Sequence, residues 1–170
     1  AQSTDRQVNK VTETLFERFS TPKDFLRLTE GELANKIRGL GLFRNKSKSI
    51  LQTCHILVSK YNGDVPRSRE SLEELPGVGR KTASVVLSNA FGIPALAVDT
   101  HVFRVANRLN LAKSKDVLKT EQQLLKVVPK SEWTDTHHRL IWHGRRLCHA
   151  RNPKCSECAL LRNCDFGLTK

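Results

Sequence analysis

Apolar residues along this chain recur at three- and four-residue intervals far more often than at every second position. Val8, Val11, Leu15 and Phe16 mark one stripe, and Phe25, Leu26 and Leu28 mark another after Thr21-Pro22. Ile37, Leu40 and Leu42 lead into Ile50, Leu51, Ile56, Leu57 and Val58, with Gly39 and Gly41 interrupting. A 3.6-residue period puts such positions on one face of a helix, whereas a half-buried strand alternates. Gly and Pro fall between the stripes rather than in hairpin turns. The pattern predicts an all-α protein with helices of about 8–16 residues. The sequence holds no long linker, repeat or low-complexity run.

The opening Ala1-Gln2-Ser3-Thr4-Asp5 lacks a Met and reads like the inside of a helix-to-helix connection. It is expected to be a fragment whose natural beginning is missing. A chain of 170 residues can build one core or two small lobes. Lys and Arg total 29 against 17 Asp and Glu, a net +12. Such an excess points to a polyanionic partner. Ribosomal and membrane-surface proteins share it, so charge alone does not specify DNA. Basic residues concentrate at Lys36-Ile37-Arg38, at Arg44 to Lys48 and from Arg139 to Lys154. Any one of them, taken singly, reads first as part of a solvated helix face. No signal peptide and no membrane-length apolar run are visible, so an intracellular protein without a membrane partner is expected.

Leu75-Pro76-Gly77-Val78-Gly79-Arg80-Lys81-Thr82-Ala83 lies between a short predicted helix at Ser71–Leu75 and a longer one at Thr82–Ala90. Two glycines allow positive φ and bring bare backbone close to a ligand. The amides of Gly77 and Gly79 are then expected to face outward at a helix N-terminus, where free donors and the helix dipole favour an anion. A nucleic-acid phosphate is the natural occupant, and a structural turn is the plainer alternative. Lys81 falls in the first turn of the second helix. An ammonium opposes the helix dipole there, so the neutral, nucleophilic amine is slightly favoured. The dipole alone is too weak to make the amine neutral, so, taken alone, Lys81 reads as a phosphate contact before a nucleophile. In Ala95-Leu96-Ala97-Val98-Asp99-Thr100-His101-Val102, a small apolar run ends at Asp99 and a helix begins. Asp99 suits an N-cap, and the same carboxylate could accept a proton or stabilise a developing cation.

Four of the five cysteines form Cys148-x6-Cys155-x2-Cys158-x5-Cys164. Thiolates this close surround one centre, and soft thiolates select zinc or iron–sulfur centres. Structural zinc sites usually pair two short knuckles, but here only Cys155 and Cys158 make one. A [4Fe–4S] cluster is larger and takes one thiolate per iron, which suits long, unequal gaps. Zinc and two disulfides remain as alternatives. The fifth cysteine, Cys54, lies in an apolar-periodic stretch and reads as a buried structural thiol.

These motifs, in this order, resemble endonuclease III, the iron–sulfur DNA glycosylase family of the helix-hairpin-helix superfamily. The resemblance runs from Gln2 to about Phe166 and rests on LPGVGRKTA at 75–83, VDTHV at 98–102 and the cysteine tail. It implies two helical lobes with a DNA cleft between them. One is a six-helix barrel carrying the hairpin, at 1–93 and incomplete at its start. The other, at 94–170, holds a [4Fe–4S] cluster. The implied activity is excision of oxidised pyrimidines from duplex DNA and cleavage 3′ to the abasic site by β-elimination, with the target base flipped out of the stack. Lys81 is then the nucleophile and Asp99 the assisting carboxylate. Cys148, Cys155, Cys158 and Cys164 are the cluster ligands. Gln2 and Leu42 fill the gap left by the flipped base, while Gly77, Gly79, Arg151 and Lys154 contact the DNA backbone. The partner is double-stranded DNA with damaged pyrimidines or abasic sites, met by a monomer in a bacterial cytoplasm or nucleoid. Two other readings stand beside it. An adenine-excising relative shares the tail and the aspartate but typically lacks the hairpin lysine. A non-catalytic helix-hairpin-helix DNA-binding module would not need Lys81 and Asp99 together.

Overall fold

The computed structural model describes residues 3–169, and those residues contain helices, turns and loops but no strand. By packing, the chain divides into two compact units, Ala1–Gly79 and Arg80–Lys170. This division lies ahead of the 93/94 boundary drawn from the sequence. The helix that starts at Arg80 bonds forward in the chain, through Arg80 to Glu121 and through Asn89 to His138.

The first unit contains α1 (Asp5–Arg18), α2 (Pro22–Phe25), α3 (Glu30–Lys36), α4 (Phe43–Tyr61) and α5 (Arg69–Glu73). Three of these helices start with a capping box: Thr4 with Gln7, Thr21 with Asp24, and Thr29 with Glu32. In each, the threonine side chain accepts from one backbone amide and the partner side chain accepts from the threonine's own amide. Leu15, Phe25, Leu33, Ile37 and Cys54 form the core. Cys54 is buried as its stripe predicts, and burial pushes its thiol pKa up. Phe16 departs from its stripe. It is 57% exposed and meets the Phe25 ring edge-on. Adjacent helical positions point in different directions, and Leu15 occupies the inward one. Helix lengths spread more widely than expected, from 4 residues in α2 to 19 in α4.

The second unit contains α6 (Arg80–Phe91), α7 (Thr100–Arg108), α8 (Val117–Val127), α9 (Trp133–Arg146) and the short α10 (Asp165–Leu168). Val102, Val105 and Ala106 line one face of α7 and pack with Leu96, Val98, Leu124 and Leu140. Helix α9 packs tightly on α7 at Gly144. A Cβ there would lie 3.1 Å from atoms of His101, Arg104 and Val105. No described helix is long and apolar enough to cross a membrane.

Candidate active site and thiol pocket

The hairpin follows α5 and leads directly into α6. Gly77 has φ +79, in the left-handed region that favours glycine. A Cβ on it would also press on Ser49 of α4, at 3.1 Å from Cβ and 3.2 Å from Oγ. Thr53 Oγ1 donates to the Pro76 carbonyl at 3.1 Å, so α4 supports the turn at two points. Gly79 differs from expectation because its φ is not positive. Its role is space: a Cβ there would meet nothing within 4 Å, so the backbone is open to an approaching ligand.

Lys81 lies in the first turn of α6, exposed, with no acidic residue in that turn. Among the described residues its ammonium has no hydrogen bond or ion pair. Its neighbour Arg80 is held by Glu121 of α8, through Nε at 2.7 Å and Nη2 at 2.9 Å. Glu121 is nearly fully buried, so this charge pair fixes the start of α6 against α8. Asp99 is the N-cap of α7. One oxygen, Oδ1, accepts from the amides of both His101 and Val102 at 2.8 Å. Among the described residues, Oδ2 accepts no hydrogen bond. The run from Ala95 to Val98 that delivers Asp99 is entirely buried.

His137 of α9 is 3% exposed, and its Nδ1 donates to the Ala97 carbonyl at 2.7 Å. Burial is the main cause that pushes its pKa down, and the charges of Asp99 and Lys81 both reach it, the first raising and the second lowering it. Lys81 and Asp99 are thus both within electrostatic reach of one buried imidazole.

All four motif cysteines are free and line one small pocket that opens to solvent, walled by Leu109, Leu147, Pro153, Leu161 and Phe166. Cys148 follows α9, Cys155 and Cys158 bound one 3-10 turn, and Cys164 precedes α10. A Cβ on Gly167 would lie 3.7 Å from Cys164 Sγ and 3.8 Å from Cys155 Sγ, and 2.9 Å from Leu161. A side chain there would intrude on the thiols. Among the described residues no three His, Cys, Asp or Glu groups meet as a single-ion site. The sulfurs ring a pocket, and four soft donors around an apolar space fit a polynuclear cluster.

Leu42, in the first unit, has φ 56 and stands 49% exposed at the N-cap of α4, with no side-chain cap. A non-glycine residue in this region is unusual and suggests a constraint other than packing. Arg151 is exposed, and Lys154, half-exposed, pairs with Glu157 at 3.7 Å. Gln2 lies outside the described residues.

Residues 1–130 match the family described as "HhH-GPD superfamily base excision DNA repair protein". The chain is 51% identical over 168 residues to endonuclease III of Bacillus subtilis, covering 98% of this chain and 77% of that protein. It is 52% identical to endonuclease III of Haemophilus influenzae, covering 98% and 79%. The chain belongs to the endonuclease III family. Its fold superposes with a TM-score of 0.94 on a trapped endonuclease III–DNA covalent intermediate, at 52% identity and covering 99% and 80% of the two chains.

Sequence patterning gave no sign of the residues that support the candidate site. Glu121 and His137 sit on α8 and α9, far along the chain from Arg80 and Ala97, and carry no local motif. The arginines 104 and 108 of α7 were equally silent. Arg104 donates to the Cys148 and Gly144 carbonyls at 3.1 and 2.9 Å.

His137 makes a testable contribution to stability. Its folded pKa is depressed below the unfolded value of about 6.5. The stabilisation is complete above that value and is lost as pH falls toward the folded pKa. His143 shifts in the same direction, also through burial. The urea midpoint of the protein should therefore fall between about pH 7 and pH 5. His137→Gln should show a shallower fall, and an equal slope in the two proteins would remove His137 from the effect.

Proposed function

We propose that this protein is a bifunctional DNA glycosylase and abasic-site lyase that excises oxidised pyrimidines from duplex DNA in a bacterial cytoplasm or nucleoid, acting as a monomer. The observation that carries this reading is an exposed Lys81, free of ion pairs among the described residues, and a half-used Asp99 carboxylate, whose charges both reach the buried His137. The related endonuclease III forms a covalent intermediate with DNA, and covalent capture requires a nucleophile of this kind. An adenine-excising enzyme of the superfamily would not call for Lys81.

In the proposed reaction the Lys81 amine attacks C1′ of the flipped nucleotide, and the bond from C1′ to the base breaks with its electron pair leaving on the base. Asp99 Oδ2 stabilises positive charge on the opening sugar and takes the proton shed by the attacking nitrogen. The C1′–O4′ bond then breaks, O4′ takes the proton held by Asp99, and the resulting Schiff base acidifies the C2′ proton. Its removal expels the 3′ phosphate by β-elimination, and water then releases Lys81. The hairpin amides and the open backbone at Gly79 receive DNA phosphates, with Arg151 and Lys154 as further backbone contacts. Leu42 and Gln2 fill the vacated stack. Cys148, Cys155, Cys158 and Cys164 would hold a [4Fe–4S] cluster, which supplies a covalent centre that ties the loop together.

Borohydride reduction with duplex DNA containing an abasic site tests the lyase. A covalent protein–DNA species is expected, together with release of an oxidised pyrimidine from a lesion duplex. Metal analysis of the same sample should find iron and broad visible absorption. DNA binding with neither trapping nor base release would leave a binding module in place of the enzyme.

A further inference from the structure

Arg108, the last residue of α7, reaches into the cysteine loop from outside it. Its Nη1 donates to Cys148 Sγ at 3.3 Å and to the His149 carbonyl at 2.6 Å, and its Nη2 donates to the Ala150 carbonyl at 3.0 Å. Its guanidinium carbon stands 4.1 Å from the centre of the Phe166 ring. The Cys164 thiol donates to its backbone carbonyl at 3.5 Å. One cationic residue thus touches the first cysteine of the motif, the backbone after it, the last cysteine and the aromatic ring that follows.

The contacts of the guanidinium point the same way. A guanidinium keeps its charge at any physiological pH. Toward a thiolate ligand, the bond to Cys148 becomes charge-assisted. Hydrogen bonds to cluster sulfurs and charge near them are among the levers on a cluster's potential. A fixed cation favours the reduced, more negative cluster over the oxidised one. The planar fork also allows one side chain to serve a sulfur and two carbonyls while stacking on a ring. A lysine, with a compact ammonium, cannot do all of this at once.

We propose that Arg108 is a positioning residue for the iron–sulfur centre: it orients Cys148 and raises the reduction potential of the cluster. This rests on the four-cysteine cluster reading above and adds a residue from outside the motif. The experiment measures iron, reduction potential and loss of visible absorption to an iron chelator, in the full chain without DNA. In Arg108→Gln the oxidised-to-reduced ratio at a given applied potential should rise about tenfold, a lowering of about 59 mV for a one-electron couple. Absorption should be lost about tenfold faster. Arg108→Lys should recover most of the potential and part of the retention. A wild-type potential in Arg108→Gln, with the cluster present, overturns the proposal while leaving the cluster reading intact. A wild-type protein that binds no iron ends both. If Arg108→Gln purifies without iron, anaerobic reconstitution with ferrous iron and sulfide decides. A cluster that forms only in Arg108→Lys, or decays faster in Arg108→Gln, supports the assignment, and equal behaviour of the two variants overturns it.

Discussion

Lys81→Gln is expected to yield no borohydride-trapped species on abasic DNA and to lower base release on the order of 10³-fold or more, as removal of a nucleophile does elsewhere. The amide of glutamine cannot form a Schiff base, so no reducible covalent link exists to be captured. The fold should not change, because Lys81 is exposed and α6 is anchored through Arg80 and Glu121. DNA binding should survive largely intact, since the Gly77 and Gly79 backbone is untouched. The opposite outcome is equally readable. If Lys81 only neutralises a phosphate, the variant should bind more weakly and lose about one unit of salt slope. It should then still give trapped product at saturating protein.

Asp99→Asn should lower turnover by about 10²–10⁴-fold, the usual size of a lost acid–base group, while the urea midpoint stays close to that of the unaltered protein. The two effects separate because the two carboxylate oxygens do different things. Oδ1 already accepts from both His101 and Val102, and an asparagine carbonyl can take over those bonds, since Asn caps about as well as Asp. Oδ2 is the atom that becomes an NH2 group, so the charge and the proton acceptor disappear while the cap remains. Equal activity per folded molecule, with a lowered midpoint, would return Asp99 to a purely structural role. Asp99→Ala removes cap and charge together, so its midpoint should drop by an amount corresponding to about 1 kcal/mol, a built-in control for the capping term.

Much of this protein could be read in one dimension because the relevant physics is local. A helix stripe, a turn glycine, an N-cap and a set of closely spaced cysteines are each determined by residues a few positions apart. The helical class, the hairpin at 75–79, the cap at Asp99, the burial of Cys54 and the grouping of Cys148, Cys155, Cys158 and Cys164 were accordingly legible. Even so, the sequence treated both hairpin glycines alike, whereas Gly77 answers to φ and to Ser49, and Gly79 to open space. Stripe patterning likewise could not distinguish Leu15, which faces the core, from Phe16, which does not.

The supporting groups are another matter. Glu121 has no motif around it, yet it is the carboxylate that fixes Arg80. His137 could be any histidine on an apolar helix face until the buried Ala97 carbonyl is found 2.7 Å from it. Arg108 looks like ordinary charge at a helix end until its guanidinium meets Cys148 and Phe166. A buried charge or imidazole is tolerable only where the chain elsewhere supplies its partner, and which distant segment does so depends on how the helices cross. Local spacing therefore determined which groups could do chemistry here, and helix packing decided which other residues hold them in place.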